Sequence, residues 1–144
     1  MHFSIRTIRI AASLLVLLAS PLLLSADTNP VPAVITADGG RYYGALVEGV
    51  RHGHGKIEWP NGARYAGGFD KGLFSGRGKW QSVSGTKYEG DFDGGMMTGQ
   101  GRMEMTDGAA YEGAFEQDQF HGKGTLTAID HNYTGEFKRG GYAG

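Results

Sequence analysis

No cysteine occurs anywhere in the 144 residues. That excludes disulfides, thiol catalysis, thiolate metal sites and a lipoprotein anchor on cysteine, and it leaves the compartment open. Proline is scarce, at four. Glycine is missing from the first 38 residues, and all 26 glycines lie at or after Gly39. An excess of one charge is missing too: 14 Lys and Arg stand against 15 Asp and Glu, net −1. No acid precedes Asp27, so removing residues 1–26 takes away only Arg6 and Arg9 and leaves 12 against 15, or −3. Nucleic-acid binding needs a basic footprint, so no nucleic-acid partner is expected. The same balance weakens a polybasic lipid-binding surface. The longest apolar run, Ile10–Leu24, is about 15 residues with Pro21 inside it, short of the roughly 20 of a comfortable membrane span.

What the first 26 residues do contain is a basic start, that short apolar run, and the small pair Ser25-Ala26 before the polar Asp27. This is the pattern of a secretory signal peptide, expected to direct the protein to a periplasmic or extracellular site. An uncleaved anchor to the inner membrane is the alternative. Residues 27–39, with Pro30 and Pro32, read as a semi-extended linker, and Val34-Ile35-Thr36 is a candidate small first strand.

From residue 40 to residue 144 the chain repeats itself. Tyr42, Tyr65, Tyr88 and Tyr111 lie 23 residues apart, and Tyr133 follows after 22. Two residues after each stands a glycine: Gly44, Gly67, Gly90, Gly113 and Gly135. Two further on is a large apolar residue: Leu46, Phe69, Phe92, Phe115 and Phe137. Seven after each tyrosine come Gly49, Gly72, Gly95, Asp118 and Gly140. Glycine pairs follow at 53/55, 76/78, 99/101 and 122/124. Gly62, Gly85 and Gly108 close three repeats, with His131 in the fourth. A fixed period of this size signals a repeat architecture.

The pattern resembles the MORN repeat (membrane occupation and recognition nexus), with a consensus close to YxGxFxxGxxxGxG. The resemblance covers four full copies and a partial one from Tyr42 onward, and suggests a bacterial-type exported member. It implies an all-β fold: an elongated single antiparallel sheet of stacked β-hairpins, preceded by the helical N-terminal segment. Leu46, Asp118, His131 and the shortened spacing before Tyr133 depart from it.

The residues support the same architecture. In Tyr88–Phe92, positions 88, 90 and 92 share one face and the acids the other. The glycine between two rings marks a close approach of another backbone or ring. The second strand alternates more weakly, through Ile57, Trp80, Met103 and Leu126. Asn61-Gly62 and Asp107-Gly108 are expected to form tight turns with positive φ at both central residues, and Ser84-Gly85 a weaker one. Asp93–Thr98 is expected to be a longer glycine-containing loop. Asp118 fits a glycine position that needs positive φ.

No catalytic site emerges, and neither an enzyme nor a cofactor is expected. His52-x-His54 has metal-compatible spacing but too few ligands for a closed zinc site. His121 shares the column of His52, roughly 29 Å away at two strands per repeat. Exposed loop histidines are the simpler expectation. Glu89 and Glu112 share a polar column roughly 10 Å apart, beyond the reach of a glycosidase pair. No serine has a nucleophile-elbow sequence. The Gly-x-Gly pairs lack the third glycine and helix of a dinucleotide site.

The expected function is therefore a non-enzymatic protein–protein interaction or scaffold module. Alternatives are a membrane-peripheral module for lipid headgroups and a carbohydrate-binding or enzyme-associated module. The aromatic column, Tyr42 to Phe137, is expected to be the sheet's own core, with an exposed groove lined by some of its rings as the alternative. Trp59, Trp80, His52 and His121 are the candidate partner contacts, with Met96 and Met97 among the positions that vary between repeats. The second strand of the fifth hairpin is expected near Gly144. That leaves Tyr133–Phe137 as an unpaired edge for a second copy or another partner.

Overall fold

A computed structural model describes residues 31–142. The signal-peptide reading falls outside these residues. Eleven strands form one sheet in strict sequence order, and every neighbouring pair is antiparallel. The strands are β1 (Val34–Ile35), β2 (Arg41–Val47), β3 (Val50–Glu58), β4 (Arg64–Asp70), β5 (Leu73–Gln81) and β6 (Lys87–Asp93). They continue as β7 (Met96–Glu104), β8 (Ala110–Glu116), β9 (Gln119–Thr127), β10 (Asn132–Lys138) and β11 (Gly141–Tyr142). No helix occurs among the described residues. The stacked-hairpin architecture and the small strand at Val34 are as the sequence implies.

One ladder carries the core. Val34, Tyr42, Ile57, Tyr65, Trp80, Tyr88, Met103, Tyr111, Leu126 and Tyr133 stand side by side on ten successive strands. Next to it runs a ladder of glycine alone, from Gly44 through Gly90 and Gly101 to Gly135. Each tyrosine ring lies down across that glycine ladder. A Cβ added at Gly101 would sit 2.5 Å from the Tyr88 ring and hydroxyl, and at Gly90 it would meet Gly101 Cα at 2.6 Å. The close approach implied by a glycine between two rings is thus the tyrosine's own ring.

The ring then reaches the next column. Phe92 packs edge-to-face between Tyr65 and Tyr88, at centroid distances of 5.2 and 5.1 Å. Phe69, Phe115 and Phe137 repeat this between their own tyrosine and the preceding one. Edge-to-face pairs of this kind add about 0.5–1.5 kcal/mol each beyond area burial. Each hydroxyl donates to a carbonyl three residues on: Tyr88 to Asp91 O at 2.9 Å, Tyr111 to Ala114 O at 2.7 Å. These carbonyls lie at a β-bulge that recurs in hairpins one to four. The Gly-x-Gly pair divides the work. Gly99 takes φ +59° opposite the bulge, and Gly101 lies under the ring.

This packing decides between the two readings of the aromatic column in favour of the core. Tyr42, Tyr65, Tyr88 and Tyr111 are at most 1% exposed and the four phenylalanines at most 5%. These rings cover one another as the core of the sheet, and among them Phe92 alone also borders the small cavity at Trp80. Leu46, the departure in the first repeat, is exposed.

The turns are also exchanged relative to expectation. The tight turns are Glu48-Gly49, Lys71-Gly72, Gly94-Gly95, Gln117-Asp118 and Arg139-Gly140, each with positive φ at both residues. This is the type I′ pattern that follows the twist of the strands. Asn61-Gly62 lies instead in a three-residue connection. Gly62 N–H donates to Trp59 O, Trp59 N–H donates to Ala63 O, and of the two turn residues only Gly62 has positive φ. Pro60 presets the first corner of that type I turn. Ser82–Thr86 and Met105–Ala109 close in the same way. In the fourth repeat, one residue shorter, Ala128 N–H bonds His131 O directly. His131 therefore takes the place of Ala63, not that of the closing glycine.

The last hairpin differs too. Its second strand starts straight after the tight turn, at Gly141, eight residues after Tyr133 and not eleven. β11 pairs with Phe137 and Lys138. The edge of β10 is covered there, and Asn132–Glu136 are the residues without a partner on that side among the described residues.

Candidate interaction surfaces

The face opposite the rings is polar and nearly charge-balanced. One ladder across it reads Tyr43, Lys56, Ala66, Lys79, Glu89, Arg102, Glu112, Thr125, Thr134. The next reads Arg41, Glu58, Arg64, Gln81, Lys87, Glu104. Lys79 pairs with Glu89 at 3.5 Å, Arg102 with Glu112 at 3.3 Å and Arg77 with Asp91 at 3.7 Å. These are exposed pairs and contribute about 0–1 kcal/mol each. Glu89 and Glu112 have the strand of Arg102 between them, which rules out a direct carboxylate pair. Where Ala66 leaves a dip, a hollow of about 380 Å³ is edged by Lys56, Arg64, Lys79, Lys87 and Arg102, together with Glu58, Glu89 and Glu104.

His52 and His121 are strand residues, not loop residues. His52 lies on β3, with Nδ1 3.4 Å from Asp70 Oδ1. His121 lies on β9, with Nε2 3.0 Å from Glu116 Oε2. Each is half-exposed beside one acid, and no group of three metal-ligating side chains occurs among the described residues.

The two tryptophans do different things. Trp59 Nε1–H donates to Asp38 Oδ2 at 2.8 Å and fastens the segment before β2 to the first hairpin. Hydrogen bonds from the Thr36 hydroxyl and then from this indole hold the Asp38 carboxyl below its usual range. Trp80 stands in the core ladder but is only partly buried. With Phe74, Phe92, Gly95, Met97 and Asp118 it lines a cavity of about 220 Å³. Asp118 and Met97 join the site through this geometry, and in the sequence they show only as departures from their columns.

Along the tight-turn edge runs a third surface. Val47 and Val50 oppose each other beside the first turn and are 55% and 45% exposed. Leu73 (52%) and Met96 (41%) hold the Val50 position in the next two hairpins. The turns are fastened to one another by Gly72 N–H to Arg51 O, Gly95 N–H to Phe74 O and Asp118 N–H to Met97 O, at 2.9–3.1 Å.

A family profile described as MORN repeat matches residues 42–64, 65–87, 88–110 and 111–132. The chain belongs to the MORN-repeat family. Its repeats start at the four tyrosines whose rings lie on the glycine ladder, so the family pattern is a packing pattern. Among curated proteins, none matches the chain. The MORN repeat is a non-catalytic module, and the geometry around its shared residues agrees: their polar atoms are used internally. None of the buried side-chain nitrogens and oxygens among the described residues lacks a hydrogen bond.

The buried hydroxyls make the MORN core sensitive to alkali. Burial raises Tyr65 and Tyr88 from the ordinary value of 10 to about 12, with the nearby Asp91 and Asp118 charges adding to the rise at Tyr88. The folded state holds these protons more tightly than the unfolded chain. Its stability from them is full below pH 10 and is lost as pH rises through about 12. Ultraviolet titration of tyrosinate is expected to show a late fraction that appears together with loss of the β circular-dichroism signal. Titration of every tyrosine near 10 with the fold intact would contradict it.

Proposed function

We propose that the protein is a non-enzymatic scaffold, exported from the cytoplasm, whose MORN array docks a protein partner along its tight-turn edge. The observation that carries this reading is the exposed apolar row Val47, Val50, Leu73 and Met96 on an otherwise polar rim. Val50 rests on Gly72 of the next hairpin and Leu73 on Gly95, so the row is continuous across three repeats. Apolar surface of this kind on a soluble array marks a partner site. The row stops at Gln119, the fourth residue of the column. Export rests on the pattern of residues 1–26. A second copy of the chain is one candidate partner, through Asn132–Glu136 of β10, which lack a strand partner on that side among the described residues.

The test is a Leu73→Glu, Met96→Glu double variant. Both side chains are about half exposed, so the fold is expected to persist. In vivo cross-linking of the natural protein is expected to trap a specific protein that the variant loses, at equal expression and equal unfolding midpoint. Identical adducts from both would overturn the reading.

A lipid-headgroup reading has its own support in the five cations that edge the Ala66 hollow. The pairing of Lys56, Lys79 and Arg102 with glutamates and the −3 balance after residue 26 work against it. Flotation with anionic vesicles separates the two: co-flotation that Lys79→Glu abolishes favours the lipid.

A further inference from the structure

The cavity at Trp80 exists because three columns depart from the repeat at one place. Phe74 stacks flat on Tyr65, with centroids 3.8 Å apart, and Phe120 stacks on Tyr111 at 3.9 Å. Between them the same column holds Met97 beside Tyr88, so the flat ring is missing there and about 220 Å³ stays open. One wall is Trp80, where the other repeats have Ile57, Met103 and Leu126. Phe74 and Phe92 form the other aromatic surfaces. At the rim stands Asp118, where the other four repeats have glycine. Asp118 Oδ1 accepts the Met97 N–H at 2.8 Å. Oδ2 has no hydrogen-bonding or ion-pair partner among the described residues. The chain therefore sets aromatic side chains and one carboxylate around an open space.

Two repeats earlier, the chain shows what such a place accepts. Arg51 holds the column of Phe74 and Met97. Its guanidinium lies over the Phe69 ring, 5.6 Å from the centroid, and donates to Gly72 O at 2.9 Å. Two repeats on, where Met97 stands in place of Arg51, the equivalents of Phe69 and Gly72 are Phe115 and Asp118. A cation in the Met97 column, against the residue of the Asp118 column, is thus already part of the architecture in the first copy.

We propose that the Trp80–Phe92–Asp118 cavity binds an organic ammonium ion: a cationic nitrogen carrying a short alkyl chain. The alkyl chain fills the space left at Met97. The nitrogen lies against the ring faces, whose quadrupole attracts it, and within reach of the Asp118 carboxylate. This site lies beside, but is separate from, the apolar turn row, and it stands or falls without it.

The test is titration of the full chain with n-butylammonium chloride, following the Trp80 indole N–H by NMR, with n-butanol as the neutral counterpart. Saturable binding that n-butanol does not reproduce is expected. Asp118→Gly restores the residue of the other repeats at a positive φ, so folding is retained. It is expected to weaken binding about tenfold. Met97→Phe restores the flat ring and is expected to abolish binding by filling the cavity. A parallel arm with Nα-acetyl-lysine amide identifies the source. Equal binding points to a lysine of a partner protein, and binding of butylammonium alone points to a free amine. Equal affinity for n-butanol, no saturable shift of Trp80, or wild-type binding in both variants would overturn the proposal.

Discussion

Tyr88→Ala is expected to destabilise the array by about 3–5 kcal/mol, the range for a large buried aromatic truncated to alanine. Three contributions are lost together. The ring leaves its edge-to-face contacts with Phe92 at 5.1 Å and Phe115 at 4.9 Å. It uncovers the Gly90–Gly101 pair beneath it. Its hydroxyl no longer donates to Asp91 O at the bulge. Because every strand pairs only with its sequence neighbours, stability is a sum of repeat and interface terms. Hydrogen exchange is therefore expected to rise first in β6–β8 and least at the two ends. Tyr88→Phe keeps the ring and is expected to lose only about 1 kcal/mol, the net worth of one hydrogen bond. Urea unfolding measures both, and equal losses in the two variants would remove ring packing as the main term.

The second large effect comes from adding a single methyl group. Gly101→Ala is expected to cost about 1–3 kcal/mol, as overpacking does in a filled core. Backbone strain is not the cause, since Gly101 lies in β7 without a positive φ. The cause is the Tyr88 ring, which a Cβ would approach to 2.5 Å. The ring has to lift, and lifting it breaks the same contacts that Tyr88→Ala removes. Gly55, Gly78 and Gly124 stand under Tyr42, Tyr65 and Tyr111 in the same way. An alanine at Gly108, with φ +90° and no atom within 4 Å, would test backbone strain alone.

The core of this fold was open to reading because its residues recur at one interval. Tyrosine, glycine and phenylalanine columns at a 23-residue period fix strand faces and hairpin stacking together, and the structure adds only the reason for the glycines. The turns were less open. Asn61-Gly62 carries the dipeptide of a tight turn, but the register is set by Tyr42 and Tyr65 on the glycine ladder. That register puts the two-residue turns at Glu48-Gly49 and Lys71-Gly72. Pro60 was the available signal, since it presets a type I corner and moves Gly62 to the bulge position. The short fifth hairpin is a related case: its second strand opens straight after the tight turn, at Gly141, as β3 does at Val50, and not near Gly144.

The candidate sites show the same division. Trp59 and Trp80 stand out equally in the sequence, yet one is tied to Asp38 and the other opens onto a cavity. That cavity joins residues of three repeats, and it depends on a ring that Met97 does not supply. Period alignment places Asp118 in the column of Gly95, but it does not say that Asp118 and Trp80 meet. The packing of one hairpin on the next decides that. Residues shared by every repeat are spent on stacking, and residues that depart from the pattern do other things: Trp59 fastens the segment before β2 and Met97 leaves a cavity open.

A double-mutant cycle on Tyr88 and Gly101 tests that division most directly. Ring and glycine form one packing unit. Gly101→Ala is then expected to be damaging in the natural protein and nearly neutral in the Tyr88→Ala background. The coupling expected by urea unfolding is about 1–3 kcal/mol. Additive losses would contradict the account, because the glycine ladder would then serve some purpose other than making room for the tyrosine.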